Sequence, residues 1–111
     1  MQDQRIKSAI AIVENSNRPE ALSVDRLAGS VKLSPSRFAH LFRAVTGHSP
    51  ARYLKSVKLE KAAKLLATTG ALVRDVAHRA GFSDRSHFVR EFKRRYGVSP
   101  AQFRDRGYDG P

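Results

Sequence analysis

Two phenylalanine pairs, Phe38/Phe42 and Phe88/Phe92, have the four-residue spacing that puts both rings on one face of a helix. With the first ring at 0° and about 100° per residue, the second falls at about 40°. Opposite them, between about 140° and 260°, lie Ser36, Arg37, His40, Arg43 and Ala44 in one stretch, and Ser86, His87, Arg90, Lys93 and Arg94 in the other. Ser36 matches Ser86, His40 matches Arg90 and Arg43 matches Lys93, each fifty positions on (36 to 86). The phenylalanines are read as core, because apolar pairs opposite charges anchor helical hairpins. Arg90 is the strongest candidate for hydrogen bonding to a base edge, since one guanidinium can bond guanine O6 and N7 together. Lys93, Arg94 and Arg43 lie further along and suit phosphate oxygens. The free amides at the N-termini of both helices suit phosphate as well.

The composition points the same way. The chain has 111 residues, 21 Lys or Arg against 10 Asp or Glu, and a formal charge of +11. So small and basic a body asks for nucleic acid, an anionic membrane surface, an acidic protein, or mere solubility as its explanation. Hydrophobic residues make up 41%, enough for a modest core. Without cysteine there is no disulfide framework, thiolate zinc site or cysteine nucleophile. His48, His78 and His87 are scattered without paired ligand spacing, so no metal site and no cofactor is expected. Asp75 and Glu91 are read as capping or salt-bridge partners rather than catalytic acids. No apolar run approaches the roughly 20 residues that span a bilayer. The N-terminus lacks a small-residue cleavage site, so a cytoplasmic protein is expected rather than a secreted one.

The elements that must position these residues form a repeat. Phe38, Phe42, Gly47, Ser49, Pro50 and Ala51 return as Phe88, Phe92, Gly97, Ser99, Pro100 and Ala101, fifty residues on. Val24, Ala28 and Ser34 return as Val73, Ala77 and Ser83 at forty-nine, which puts one extra residue between Ser83 and Phe88. Ser34-Pro35, Ser49-Pro50 and Ser99-Pro100 read as helix starts, Ser83 as a further N-cap, and Gly47, Gly70, Gly81 and Gly97 as stops. No stretch alternates with period two, so strands are not expected. The pattern predicts an all-α chain of seven helices near 4–15, 24–31, 35–46, 50–67, 73–80, 84–96 and 100–105.

The long middle helix carries two apolar faces, Tyr53, Leu54, Val57 and Leu65 on one and Leu59, Ala62, Ala63 and Leu66 on the other. It is read as a rigid connector, over 50–68, between subdomains at 1–49 and 69–106, with a frayed tail at 107–111. Its basic run, Arg52, Lys55, Lys58, Lys61 and Lys64, spreads over about 240° of the wheel and is read as solvated lysines lying over the core.

Each unit is a short helix, a tight turn and a longer helix, with Ala77 packing against the next helix and Gly81 in the second turn. This is the helix-turn-helix pattern, whose second helix enters a major groove. Two such motifs at a fixed offset on a basic chain are far more specific than one. The sequence resembles the DNA-binding domain of the AraC/XylS family of bacterial transcription regulators, over about residues 5 to 106. Ala77, Gly81-Phe82, Phe88, Phe92, Gly97-Val98-Ser99-Pro100 and Phe103 carry the match, echoed by Gly47, Ser49-Pro50, Tyr53 and the Lys58-Leu59…Ala62…Leu65-Leu66 run. One departure stands out: Lys32 occupies the place of Gly81, so a non-glycine residue is expected at a left-handed position, at a cost of about 1 kcal/mol.

The resemblance implies base contacts from Arg85, Ser86 and Arg90 in the second unit, and from the equivalents Ser36, Arg37 and His40 in the first. It also implies contact with RNA polymerase, usually to activate, and a separate N-terminal effector or dimerisation domain that 111 residues leave no room for. The expected function is sequence-specific binding of double-stranded DNA, with two recognition helices on adjacent major-groove segments. A module docking an acidic protein is the alternative, and the repeated motif argues against it. An enzyme such as a DNA-repair methyltransferase bearing the same domain would need the missing cysteine.

Overall fold

The computed structural model describes residues 3–106. Every regular element among them is helical: α1 (Gln4–Glu14), a 3₁₀ turn (Pro19–Ala21), α2 (Val24–Ser30), α3 (Pro35–Thr46), α4 (Pro50–Thr68), α5 (Val73–Arg79), α6 (Arg85–Tyr96) and α7 (Pro100–Arg106). All seven expected helices are present, their ends within a residue or so of the sequence reading. The 3₁₀ turn lies between the first two expected helices, and its Pro19 is buried. The expected frayed tail at 107–111 lies outside the described residues.

The helices start where side chains satisfy orphaned amides. Ser34 Oγ accepts from Arg37 N–H (3.2 Å) and opens α3, and Ser49 Oγ accepts from Arg52 N–H (3.2 Å) and opens α4. At α7 the exchange is reciprocal: Gln102 N–H donates to Ser99 Oγ (3.2 Å) and Ser99 N–H donates to Gln102 Oε1 (3.0 Å). This is a capping box with glutamine at its third position. At α1, Asp3 Oδ1 accepts from Arg5 N–H (2.9 Å), and the Arg5 guanidinium lies 3.0 Å from its other oxygen. The Arg5 side chain first, then its amide, hold the Asp3 carboxyl below its ordinary value. That support is present above the unfolded-state pKa and is lost as pH falls through the lower folded one.

The chain divides into two compact units, Met1–Val57 and Lys58–Pro111, with the boundary inside α4. In the first, Ile6, Ala9 and Val13 of α1 pack with Leu27 and Ala28 of α2, Phe38 and Phe42 of α3, and Leu54 of α4. In the second, Leu59, Ala62, Ala63 and Leu66 of α4 pack with Val76, Ala77, Ala80, Phe82, Phe88, Phe92 and Phe103. Leu65, on the first apolar face of α4 but far along it, packs with the second core. The lysine run is graded: Lys55, Lys58 and Lys61 are half-buried, while Arg52 and Lys64 are exposed.

Each unit's short helix ends in the same turn. Lys32 N–H donates to Gly29 O (3.1 Å) and Leu33 N–H to Ala28 O (2.9 Å). In the second unit Gly81 N–H donates to His78 O (3.0 Å) and Phe82 N–H to Ala77 O (2.9 Å). Both are Schellman motifs, which require a left-handed residue after the C-cap. Gly81 takes that conformation at φ 96° and Lys32 at φ 62°, the one non-glycine residue with positive φ among those described. Lys32 thus carries the strain expected of it.

The starts of α2 and α5 differ more sharply. Ser23 Oγ accepts from Arg26 N–H (3.1 Å), but its counterpart is Leu72, which makes no side-chain cap and is 55% exposed. Installing a cap by Leu72→Ser is expected to stabilise the protein by about 1 kcal/mol. Lys32→Gly is expected to add somewhat under 1 kcal/mol, since relief of left-handed strain is partly offset by glycine's unfolded-state entropy. Both are read as a rise in urea midpoint at unchanged slope, and an unmoved midpoint would contradict them.

Candidate nucleic-acid interface

The two longer hairpin helices, α3 and α6, are each twelve residues long and run in register at the fifty-residue offset. Phe38 and Phe42 are buried with ring centroids 5.7 Å apart, and Phe88 and Phe92 with centroids 5.6 Å apart. Both helices stop at a left-handed glycine whose N–H donates to the carbonyl four residues back, Gly47 to Arg43 and Gly97 to Lys93, at 2.8 Å in each case. With rotation fixed by the rings and length by the caps, the same helical positions face outward in each unit.

The start of α6 corrects the sequence reading. Its N-cap is Asp84, not Ser83: Asp84 Oδ1 accepts from Ser86 N–H at 2.9 Å. The turns match at forty-nine residues through Leu33 and Phe82, and the helices match at fifty from Ser34 and Asp84 onward. The extra residue is therefore Ser83, in the turn, rather than anywhere along the helix. Serine and aspartate are equivalent caps, so their order alone could not decide between them.

Ser36, Arg37, His40 and Arg43 are all exposed on α3, as are Arg85, Ser86, Arg90, Lys93 and Arg94 on α6. His87 departs from the wheel: it is half-buried, its ring packed edge-on against Phe82 at 5.8 Å. Its counterpart Arg37 stays exposed because Leu33 stands where the second unit has Phe82. Arg94 is not simply solvated, for one of its guanidinium nitrogens lies 3.2 Å from the carboxylate of the buried Glu91. Glu91 thus serves as a salt-bridge partner, and its counterpart in α3 is the apolar Leu41.

Arg95 was outside the sequence reading, since the wheel puts it at about 340°, beside the rings. It is nonetheless exposed, 3.1 Å from Glu60 and 5.4 Å from the centre of the Tyr96 ring. Only the run Lys93-Arg94-Arg95 signalled it in advance. Among the described residues no three His, Cys, Asp or Glu side chains gather to hold a metal ion. No helix among the described residues is long and apolar enough to cross a membrane.

Two Schellman-turned hairpins, each presenting a polar and basic second helix on a phenylalanine footing, define a protein with a twin helix-turn-helix. A family model described as "Helix-turn-helix domain" matches residues 27–106. The transcriptional activator RhaS of Escherichia coli O1:K1 / APEC is 40% identical over 86 residues, which are 78% of this chain and 31% of that protein. A transcriptional regulator of Chromobacterium violaceum, described by its AraC-type DNA-binding domain, superposes with a TM-score of 0.83 at 25% identity, covering 97% of this chain and 96% of the other. The DNA-binding domain of AdpA, a global transcriptional factor solved in complex with a target DNA, superposes with a TM-score of 0.80 at 29% identity, over 92% and 91%. The chain belongs to the AraC/XylS family of transcription regulators, as a helix-turn-helix domain. It spans 31% to 36% of the length of curated relatives that it matches.

The cap at α6 gives a direct check on this geometry. Asp84→Ala should cost about 1 kcal/mol of stability and Asp84→Ser a few tenths at most, by thermal denaturation. An equal loss from Ser83→Ala, with Asp84→Ala neutral, would restore Ser83 as the cap.

Proposed function

We propose that this domain binds double-stranded DNA sequence-specifically, with α3 and α6 as recognition helices in two adjacent major-groove segments. The observation that carries this reading is the repeated outward face. Two helices of equal length, each footed on a buried phenylalanine pair, expose serine, arginine, histidine and lysine at matching positions. A helix of this diameter fits the major groove, with its N-terminal residues nearest the base edges. Ser36, Arg37 and His40 on α3, with Arg85, Ser86 and Arg90 on α6, are assigned to base edges. Arg43, Lys93 and Arg94, near the helix C-termini, are assigned to phosphates.

The resemblance to AdpA, solved on its target DNA, and to RhaS, named an activator, supports a role in activating transcription. In that reading the bound domain presents a surface to RNA polymerase, and a separate N-terminal effector or dimerisation domain supplies the signal. A duplex-binding regulator of this kind works on the chromosome, in the cytoplasm at the nucleoid.

Selection from a random duplex library tests the reading, with two conserved blocks about 10 bp apart as the expected result. On the selected site Arg90→Ala should cost about 1–3 kcal/mol and relax base preference at one position. Lys93→Ala should instead weaken every duplex alike. Equal losses from both variants on selected and random DNA would overturn the assignment of Arg90, and no enrichment at all would favour an acidic protein as partner.

A further inference from the structure

The two recognition helices share a frame but not a charge. Over Pro35–Thr46, α3 carries two cations, Arg37 and Arg43, and no acid. Over Arg85–Tyr96, α6 carries five, Arg85, Arg90, Lys93, Arg94 and Arg95, against the single acid Glu91. The last turn holds the clearest contrast. Where α6 exposes Arg94 and Arg95, α3 exposes Ala44 and Val45, the latter 38% exposed. The difference is local, because Met1–Val57 carries nine Lys or Arg against four Asp or Glu, and Lys58–Pro111 twelve against six. The two units are thus nearly equal in net charge, and only their recognition helices are not.

Resting on the duplex-binding reading above, we propose that the two helices divide the work. The basic α6 supplies the sequence-independent hold on the phosphate backbone, and the lean α3 engages only where the bases match. Affinity for random duplex is a counterion effect that counts cations against phosphates. A helix with two cations, and with Ala44 and Val45 where α6 has two arginines, gains little there. On a matched site, hydrogen bonds from Ser36, Arg37 and His40 to base edges add what charge does not, and Arg43 is then brought against the backbone. The chain therefore scans on α6, whose Arg85, Ser86 and Arg90 also read bases once the site is found, and α3 adds discrimination with little non-specific hold. Last-turn cations also favour a helix through its dipole. That structural role leaves the salt dependence of DNA affinity unchanged, which separates the two explanations.

The test compares equal charge changes at equivalent positions. Lys93→Ala and Arg43→Ala are titrated with salt on random duplex and on the selected site, with a helical melt of each variant as the folding control. Each phosphate contact contributes about 0.9 to the slope of log affinity on log salt, equivalent to about eightfold in affinity for each tenfold change in salt. Lys93→Ala should flatten the slope by about 0.9 on both duplexes, and Arg43→Ala by about 0.9 on the selected site but under about 0.3 on random DNA. A double variant, Ala44→Arg with Val45→Arg, should steepen the random-duplex slope by up to about 1.8 and narrow the preference for the selected site. Equal flattening by Arg43→Ala and Lys93→Ala on random duplex overturns the division of labour while leaving duplex binding intact. So does a double variant that leaves the random slope unmoved. A chain with no salt-dependent affinity for any duplex overturns the underlying reading as well.

Discussion

Everything this domain presents to a partner depends on the rotation of two helices about their own axes, and aromatic rings buried four residues apart set that rotation. A turn of one residue would carry Phe42 or Phe92 through about 100° and out of its core. That would expose an aromatic surface whose burial is worth several kcal/mol. Tilted ring contacts add to this beyond area alone: Phe42 on Tyr53 at 5.5 Å in the first unit, and Phe92 on Phe103 edge-on at 5.3 Å in the second. The outward face is thus the complement of the core, and its precision comes from packing rather than from any bond made by the outward residues themselves.

The repeat shows which parts of this device tolerate change. Both turns keep the two Schellman hydrogen bonds and the alanine that lets the helices approach, while the residue at the left-handed position changes from glycine to lysine. Both long helices keep their length and their glycine stop, while their cap changes from serine to aspartate and the start of the preceding short helix from the capping Ser23 to the uncapped Leu72. The second unit's core is far more aromatic, linking Phe82, Phe88, Phe92, Tyr96 and Phe103 in successive ring contacts. Geometry is held constant, and the chemistry on either side of it is free to differ.

Much of this is legible in the sequence because helix ends are written in residues with one dominant use. Ser-Pro starts and glycine stops place α3, α4 and α7 almost to the residue. Legibility fails where two residue types compete for one role, as Ser83 and Asp84 do for the cap. It also fails where tertiary packing overrides the wheel. His87 is drawn inward by Phe82, a neighbour from the turn, and Arg95 is held outward by Glu60 from α4. The 3₁₀ turn at Pro19–Ala21 has too little periodicity to be read at all. For the interface, exposure and charge can be read from spacing, but the Glu91–Arg94 pairing cannot be told apart from two independent side chains.

Arg104 completes the second unit from far along the chain. Its guanidinium donates to Leu66 O at 3.2 Å and Thr69 O at 3.1 Å, closing the carbonyl end of α4 from α7. Phe103 beside it fills the core. The first unit, by contrast, has all its core residues by Val57. A ribosome therefore delivers a foldable first unit roughly fifty residues before the second can close, and domains generally fold as units in order of synthesis. During that interval Phe82, Phe88 and Phe92 have been made but not yet sealed, so the aromatic unit is the one exposed to misassembly while the nascent chain grows.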